Sequence, residues 1–557
     1  MRIFLPMLNE RMPMHAKSMS LLNCQSQNPF SFWKRWGTVV CALQIALIGA
    51  CDRVKTIDVD SPPAQTISEQ VVVAAFAGTE QLATDALAIE NITSFCSGCH
   101  AMPIPTSFSR EHWPREVQRG FDFYFASGRT DLSPPSVREV EEYFVSRATE
   151  ALPSHHPKGV DNDALNRYRL KHPNVPQSDE QGIAGANIGF FDWGLPVGSM
   201  LMLSDMRDGS IMTCGFNGAG FDDCEVVAKL NNPSRMSQCD LDNNGRQGLL
   251  VADLGSFLPA DHKLGRVVWL RRQDDRELRF EKVVLLRNCG RVADVRAADL
   301  DDDGDLDLCV ADFGWHKTGK VLWLERVSDG PVTAESFVPH VLDERSGAVE
   351  VNPIDINKDG KLDIVALIAQ ETESIVAFLN DGNGGFTRQT LYAAMEPSYG
   401  SSGMEFCDLD RDGDEDIVYT NGDSFDRYEV KPFHGIHWLE NRGNLKFHAR
   451  DLVSLPGVHR AVPSDVDDDG DLDIVANAFL PGDLSKTFVE APAMSIILLE
   501  NDGKQDFKLR PLQVGKTVHP SMCIGDFNDD GIPDIAAANF EEDANQKSAP
   551  MDVLLSY

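Results

Sequence analysis

The sequence is short of basic residues, of long apolar runs and of hydrolase signatures. Lys and Arg number 51 against 86 Asp and Glu, which gives a formal charge of −35 at pH 7 across 557 residues. An acidic surface of this kind repels phosphate backbones and anionic lipid, so nucleic acid and anionic membranes are excluded as direct partners. One uncharged run, residues 36–50, is too short to cross a bilayer as a helix. No Ser-His-Asp arrangement or nucleophile elbow is recognisable.

The N-terminus has the pattern of an export signal. A basic pair, Lys34 and Arg35, precedes the short apolar run, which ends in Leu-Ile-Gly-Ala before Cys51. This ending resembles a bacterial lipobox, in which Cys51 would be lipidated after cleavage before it. We expect residues 1–50 to be a signal peptide and 51–78 a linker. The mature protein would be periplasmic or on the cell surface, and it would meet the membrane only through the lipid. An ordinary signal peptide with a chance cysteine is the alternative.

A C-x-x-C-H segment follows the linker. In Cys96-Ser-Gly-Cys99-His100, the two thiols have the spacing that adds to two haem vinyl groups, and the adjacent histidine can ligate the iron. A thioredoxin-like pair needs a βαβ setting, and a zinc site needs two further ligands nearby, and neither is present in the surrounding sequence. The segment therefore predicts one covalently bound haem c.

The sequence on both sides of this segment has the periodicity of helices. It predicts helices over 79–95, 110–126 and 136–148, the last two with apolar residues on one face. The region resembles a compact class I cytochrome c, which implies a small all-α domain over 79–152 in which the helix bearing the motif packs against a C-terminal helix with an aromatic, here Tyr143 or Phe144. The methionine that usually supplies the sixth iron ligand has no counterpart, because Met102 follows the motif too closely. The candidates for the sixth position are His112, His155, His156, His172, water or no ligand.

Internal repeats dominate the rest of the chain. Six segments share the pattern D-x-[DN]-x-[DN]-G-x-x-[D]-apolar and start 53 to 61 residues apart, a spacing that suits one four-stranded propeller blade each. Alternate residues of such a loop turn oxygen ligands inward towards a hard divalent cation, and glycine at position six permits the sharp bend. A strand-like run follows instead of a helix with Glu at position twelve, so the loops are not EF-hands. The six segments begin at Asp240, Asp299, Asp355, Asp408, Asp465 and Asp526.

The repeats resemble the FG-GAP or VCBS repeats of integrin-α-like propellers, whose loops bind calcium between the first two strands of a blade. This resemblance implies about five Ca²⁺ ions. The first loop departs from the pattern, since Gly248 stands where the closing Asp should be, and we expect Asp240, Asp242 and Asn244 to hold an ion weakly or not at all. The ligands implied for the other loops are Asp299, Asp301, Asp303, the Asp305 carbonyl and Asp307; Asp355, Asn357, Asp359 and Asp363; Asp408, Asp410, Asp412 and Asp416; Asp465, Asp467, Asp469 and Asp473; and Asp526, Asn528, Asp530 and Asp534.

The blade count follows from the strand pattern. A blade without a metal loop is expected ahead of the repeats, with strands near 188–193, 200–205, 209–213 and 225–229. The last repeat ends after its third strand, 551–555, and 166–171 could supply the fourth. We therefore expect a mainly β chain with a seven-bladed propeller over 165–557, behind a linker at 153–164. Six blades is the alternative.

The rim opposite the metal loops is the place expected for a binding site. Its long loops include 314–317 and 421–434. Residues five positions before the metal loops, with two histidines near them, would converge at the axis, although a solvated rim is the simpler alternative. The residues of this expected rim pocket are Arg235, Asp294, Glu350, His459, Arg460 and His519.

Cysteines outside the haem motif add one structural expectation. Cys214 and Cys224 are close enough in sequence to form a hairpin disulfide in an oxidising compartment. Cys309, Cys407 and Cys523 lie in or beside strand-like runs and are expected to act as small buried apolar residues.

Three functions are compatible with these features. The first is electron transfer, in which the haem exchanges electrons with a redox protein partner and the propeller is the docking platform. The second is an oxidoreductase that passes electrons from a small substrate on the rim to the haem. The third is a cell-surface adhesion protein. Propellers host all three roles, so the fold alone does not choose between them.

Overall fold

The computed structural model describes residues 86–153, 167–173, 182–216, 220–221, 224–328, 330–425, 429–485, 493–546 and 548–556. The predicted signal peptide, Cys51, the first linker, and His155 and His156 lie outside the described residues. In the ranges given, no helix has the length and apolar character needed to cross a membrane.

The main body is a ring of seven antiparallel sheets with four strands each. This confirms the seven-bladed propeller, and the alternative of six blades is wrong. Within a blade, consecutive strands pair in order, as β6 to β9 do. The strands are β1 Tyr168–Lys171, β2 Gly185–Asp192, β3 Ser199–Asp205, β4 Ser210–Cys214, β5 Glu225–Lys229, β6 Pro233–Cys239, β7 Gly248–Asp253, β8 Gly265–Arg272, β9 Phe280–Cys289, β10 Val292–Ala298, β11 Asp307–Asp312, β12 Lys320–Arg326, β13 Phe337–Asp343, β14 Ala348–Ile354, β15 Asp363–Ile368, β16 Ser374–Asn380, β17 Phe386–Ala393, β18 Gly403–Cys407, β19 Asp416–Thr420, β20 Gly435–Asn441, β21 Phe447–Ser454, β22 Val458–Ser464, β23 Asp473–Ala478, β24 Met494–Glu500, β25 Lys508–Val514, β26 Met522–Gly525, β27 Asp534–Ala538 and β28 Met551–Ser556.

The two ends of the propeller meet in the seventh blade. Its strand order is β1-β28-β27-β26, and β1 pairs antiparallel with β28 from Tyr168 opposite Ser556 to Lys171 opposite Val553. The predicted closure by residues ahead of the first blade is therefore confirmed. Because the first strand of the ring completes the last sheet, the ring cannot open without breaking these backbone hydrogen bonds.

Apolar packing between neighbouring blades forms the core. In each blade that carries an Asp-rich loop, the second strand is buried along its whole length, as β11 is. Strands that are buried on both faces have continuous apolar sequences, which is why the sequence predicts them. The tryptophans on third strands, Trp269 and Trp438, are among the largest fully buried side chains.

In the part of the chain that the structure describes, three helices precede the propeller: α1 Ala86–Cys96, α2 Trp113–Ser127 and α3 Val137–Arg147. They lie within the three predicted spans, apart from single residues at the ends of α1 and α2. Ser136 caps α3 through a capping box with Glu139. The helices share one apolar core, in which Trp113 stacks on Phe144 with ring centroids 4.0 Å apart. A fourth helix, α4 Gly482–Ser485, and three 3-10 turns, Pro105–Ser107, Ala334–Ser336 and Gln370–Thr372, lie in connecting loops.

The cysteines follow the sequence prediction. Cys214 and Cys224 form a disulfide that ties the end of β4 to the start of β5. Cys309 is buried, and Cys407 and Cys523 are partly buried in strands. Burial raises the pKa of the Cys309 and Cys523 thiols to about 12, so they remain protonated.

The ring closure generates a stability prediction. Tyr168 on β1 packs against the core between the sixth and seventh blades, whereas Leu170, two residues further along, is 49% exposed. Tyr168→Ala should lower the free energy of unfolding by about 2 kcal/mol, because it removes buried apolar area and leaves a cavity. Leu170→Ala is the matched control and should change it by less than about 0.5 kcal/mol. Urea unfolding at constant calcium measures both, and equal effects would contradict the role of β1 in closure.

Candidate functional site

A cavity of about 680 Å³ lies between the helices and the propeller. Cys96, Cys99 and His100 all line it. Its other wall comes from loops of the third, fourth and fifth blades at the rim opposite the Asp-rich loops. The volume is in the range of small-molecule and cofactor sites. The helices and the propeller belong to one compact unit of the chain.

The C-x-x-C-H segment is arranged for covalent and metal chemistry. Burial raises the pKa of the Cys96 thiol to about 11. The Cys99 thiol is exposed and accepts a hydrogen bond of 2.7 Å from Arg129 Nη1, which also donates to the Gly98 carbonyl over 3.1 Å. His100 Nδ1 donates to the Ala101 carbonyl over 2.7 Å, which leaves Nε2 as the ring nitrogen able to bind a metal.

Aromatic side chains of α1 and α2 form the helical wall of the cavity. The Phe95 ring lies 5.0 Å from that of Phe121 and 5.1 Å from that of Tyr124, and all three residues line the cavity. A planar apolar group with two reactive vinyl substituents fits such a wall, which lies next to the two thiols. The residues present therefore fit a haem.

Two charged residues of the propeller hold the loop that follows the motif. Glu396 Oε2 accepts the backbone N–H of Ile104 over 2.7 Å. The Lys431 ammonium donates to the Ser107 carbonyl over 2.9 Å and lies 3.1 Å from the centroid of the Phe108 ring. Glu396 and Lys431 are almost fully buried. Hydrogen bonds from buried charged groups are stronger than surface pairs, so these contacts fix the helices on the rim.

The propeller wall also carries groups that the sequence did not single out. Glu373 is buried, and its two carboxylate oxygens accept the N–H groups of Gly400 and Ser401 over 3.1 and 3.0 Å. Burial raises its pKa to about 8, although these hydrogen bonds oppose the shift. Gln370 and Glu373 have φ angles of 58° and 38°, which are strained for residues other than glycine. Nothing in the local pattern marks this segment, whereas the loops at 314–317 and 421–434 were predicted to lie on this rim, and both contribute to the wall.

Two of the candidates for a sixth iron ligand, His112 and His172, lie outside the cavity wall. His112 Nδ1 lies 2.6 Å from Ser109 Oγ and 3.3 Å from Glu429. His172 Nδ1 lies 3.4 Å from Asp552 on the seventh blade. Neither lines the cavity, whereas His316 of the propeller does.

The six Asp-rich loops share one backbone conformation. Their fourth residues have φ between 51° and 62°, and their sixth-position glycines have φ between 83° and 93°. Only glycine adopts the latter region without strain, which explains its presence in every copy. In each loop the N–H of the glycine donates to the first Asp over 2.7 to 3.1 Å. In the loops that begin at Asp299, Asp408 and Asp465, the first residue is thereby fixed while its Oδ1 has no hydrogen-bond partner among the described residues.

The carboxylates of these loops converge on one another. In each of three groups, one oxygen from every residue lies within 4.8 Å of the others. Ligands on opposite sides of a calcium ion are separated by about 5 Å, so the spacing fits such an ion. Within the described residues, buried oxygens without a hydrogen-bond partner include Oδ1 of Asp299, Asp301, Asp408 and Asp465. The three groups are Asp299, Asp301 and Asp303; Asp408, Asp410 and Asp412; and Asp465, Asp467 and Asp473.

The ninth residue of the loops has a role in the fold that the motif did not reveal. Asp307 is buried, and its two oxygens accept the N–H groups of Leu300 and Arg326 over 3.3 and 2.7 Å. Asp416, Asp473 and Asp534 repeat this pattern in their own blades. Each joins the Asp-rich loop to the end of the third strand. A carboxylate oxygen has two lone pairs, so it can still ligate a cation.

The first loop keeps the backbone geometry but not the closing carboxylate. A Cβ at Gly248 would lie 2.5 Å from Trp269 Nε1 and 2.9 Å from the Leu270 carbonyl. The indole of Trp269 therefore occupies the space that an aspartate would need. Arg246, at the seventh position, pairs with Asp275.

Most residues of the expected rim pocket form a buried ion network on the innermost strands. Arg235 lies 2.9 Å from Glu350 and 4.0 Å from Asp294. Burial alone would raise the pKa of Glu350, but Arg235 and neighbouring guanidinium groups hold it below its ordinary value. Arg460 pairs with Glu405 at 2.6 Å and joins the same network. None of these four predicted residues lines the cavity.

Of the two predicted histidines, His519 is buried and His459 is partly buried, and neither lines the cavity. His459 packs against Phe479, and His519 Nε2 lies 2.7 Å from Gln513 Oε1. Burial lowers the pKa of each to about 4, so both are neutral at pH 7.

Comparison with known proteins agrees with the propeller. The FG-GAP-like repeat family matches residues 355–419, which include the third Asp-rich loop. None of the curated proteins matches the chain. Similar solved structures include an Agrocybe aegerita lectin that recognises non-reducing terminal N-acetylglucosamine, with 16% identity over 61% of this chain and 84% of that chain and a TM-score of 0.38. Another is BBS1N in complex with ARL6DN, with 11% identity over 68% of this chain and 94% of that chain and a TM-score of 0.41. These likenesses carry no information about ligands of this chain.

The axial network generates a second stability prediction. Glu350→Gln should lower the free energy of unfolding by about 3 kcal/mol, since it leaves the buried Arg235 without its nearest countercharge. Glu142→Gln is the control, because Glu142 pairs with Arg138 on the exposed face of α3, and it should cost less than about 0.5 kcal/mol. Urea unfolding at pH 7 compares the two variants. If Glu350→Gln lowered the free energy of unfolding as little as the control does, the network would not be held by charge.

Proposed function

We propose that this chain is an exported c-type cytochrome whose calcium-binding propeller forms one wall of the haem site and docks a redox partner. The observation that carries the proposal is the cavity in which both motif thiols, the motif histidine and the propeller rim meet. A lipid on Cys51 would tether the protein to a membrane face.

The residues of the motif have separable roles towards the haem. Cys96 and Cys99 would hold it by two thioether bonds, and His100 Nε2 would ligate the iron. The hydrogen bond from His100 Nδ1 to the Ala101 carbonyl fixes the ring orientation and its tautomer. When bound, the haem supplies one-electron chemistry. Phe95, Phe121 and Tyr124 exclude water from its face.

The Asp-rich loops are proposed to hold calcium in five blades. The support is the converging carboxylates, the buried oxygens without hydrogen-bond partners, and the shared loop backbone. Burial and the neighbouring carboxylates raise the pKa values of Asp301, Asp410 and Asp467. A divalent cation would remove this repulsion. Oxygen-only ligands at this spacing favour calcium over softer metals.

An oxidoreductase is the second candidate. The same cavity is lined on the propeller side by polar groups, among them Glu373, Ser398 and Ser401. A small substrate held there would be next to the haem. Reduction of the haem by such a substrate, without another redox protein, would favour this candidate over electron transfer.

Covalent haem is the first test of the proposal. Protein exported from a host with cytochrome c maturation enzymes should show one haem per chain in a pyridine haemochrome assay, and the haem should remain attached on a denaturing gel. The double variant Cys96→Ser and Cys99→Ser should lose this signal, because no thioether can form. Cys407→Ala, a cysteine of the propeller, is the control and should keep it. Colourless wild-type protein would refute the haem assignment.

Calcium dependence is the second test. Excess EDTA should lower the melting temperature, since each occupied site contributes about 2.7 kcal/mol at a ligand concentration of ~100 Kd. Asp301→Ala should remove one ion per chain by elemental analysis and reduce the EDTA effect. Asp302→Asn changes the adjacent residue, which is exposed and does not belong to the ligand pattern, and should do neither. Wild-type protein that is fully folded and free of calcium would refute the assignment.

A further inference from the structure

We propose that His316, on the propeller, is the second axial ligand of the haem held by Cys96, Cys99 and His100. The inference rests on the proposed haem attachment and adds to it the ligand on the opposite side of the iron. The two histidines would then join the helical domain and the propeller through the iron.

The first support is the composition of the cavity wall. Among the described histidines, His100 and His316 line this cavity, and no described methionine does. Met102 instead packs in the core of the helices. His112 and His172, which the sequence allowed as ligands, lie outside the wall.

The second support is the fixed position of the loop that carries His316. One oxygen of Asp261, on the neighbouring blade, accepts the N–H groups of His316 and Lys317 over 3.0 and 2.9 Å and the Thr318 hydroxyl over 3.1 Å. Three bonds to one carboxylate oxygen hold the loop in a single arrangement.

The third support is the contact between His316 and the helical domain. The imidazole lies 4.8 Å from the ring of Phe123 on α2 and 4.1 Å from that of Trp315, measured between ring centroids. Contacts with two aromatic rings restrict the side chain to few rotamers, which lowers the entropic cost of binding a metal. The loop therefore presents the imidazole at the cavity in a restricted orientation.

Two lysines in the wall are the rival ligands. Lys431 is committed to the Ser107 carbonyl and to Glu429, at 2.9 and 3.3 Å. Lys317 follows His316 directly and also lines the cavity. An amine would have to lose its proton before it could bind iron, whereas a neutral imidazole binds at pH 7 without that cost. This favours His316 over Lys317.

The ligand pair has a functional consequence. Two imidazoles give a six-coordinate, low-spin iron with no open position for a small molecule, and a lower potential than the histidine–methionine pair. Such a haem serves electron transfer at its edge, which agrees with the first of the two proposed functions.

The test is spectroscopy of purified protein with its covalent haem. Wild-type ferric protein should be low-spin by electron paramagnetic resonance and should lack the methionine–iron charge-transfer band. His316→Ala should lose the low-spin signal and become high-spin, and added imidazole should restore it, which also shows that the variant is folded. Lys317→Ala and His112→Ala are the controls and should stay low-spin.

The outcomes separate this inference from the proposed function. A haem-loaded His316→Ala protein that stays low-spin without imidazole would overturn the ligand assignment and leave the haem assignment intact. Loss of the low-spin signal in Lys317→Ala alone would assign the ligand to the lysine instead. Wild-type protein without haem would overturn the proposed function, and this inference with it.

Discussion

Carboxylates gathered at one rim of the propeller are the constraint that the rest of the structure has to satisfy. Each Asp-rich loop brings like charges to within a few ångströms, as in the group of Asp299, Asp301 and Asp303. In water this arrangement opposes folding, because burial and mutual repulsion both disfavour the charged forms. The backbone nevertheless holds it through the glycine at position six and the hydrogen bond to the first Asp. In the proposed function a calcium ion turns this repulsion into attraction and ties the first two strands of a blade together.

The closing aspartate transmits this constraint into the blade. Asp307 begins β11, and it also accepts the N–H of Arg326 at the end of β12. A change in the conformation of the loop therefore also affects the two central strands of the blade. At its other end β11 leads into the loop that carries His316, so one buried strand connects an Asp-rich loop with the cavity wall. The two rims thus have different chemistry but share the same rigid strands.

The helices and the propeller are coupled by buried charged groups. Glu396 and Lys431 reach from two propeller loops to the segment that follows the C-x-x-C-H motif. Both would be costly to bury without these partners, so the docked arrangement is favoured over a detached one. A haem at this position would be covered by aromatic rings of α1 and α2 on one side and by the propeller rim on the other.

Local patterns in the sequence determined the blades, the Asp-rich loops, the three helices, the disulfide and the closure by β1. Each of these depends on residues a few positions apart: alternating carboxylates, buried apolar runs, helical spacing, or a strand missing from the last repeat. Gly248 even marked the atypical loop, although the sequence did not show that Trp269 occupies the space. Tertiary structure alone decided which groups meet. Ile104 and Glu396 are 292 residues apart, and no periodicity relates them. The same holds for the meeting of His316 and the C-x-x-C-H motif in one cavity and for the ion network that contains Arg235, Asp294, Glu350 and Arg460. Such pairings arise when closed sheets place distant loops on one rim, which is a property of the ring and not of any segment.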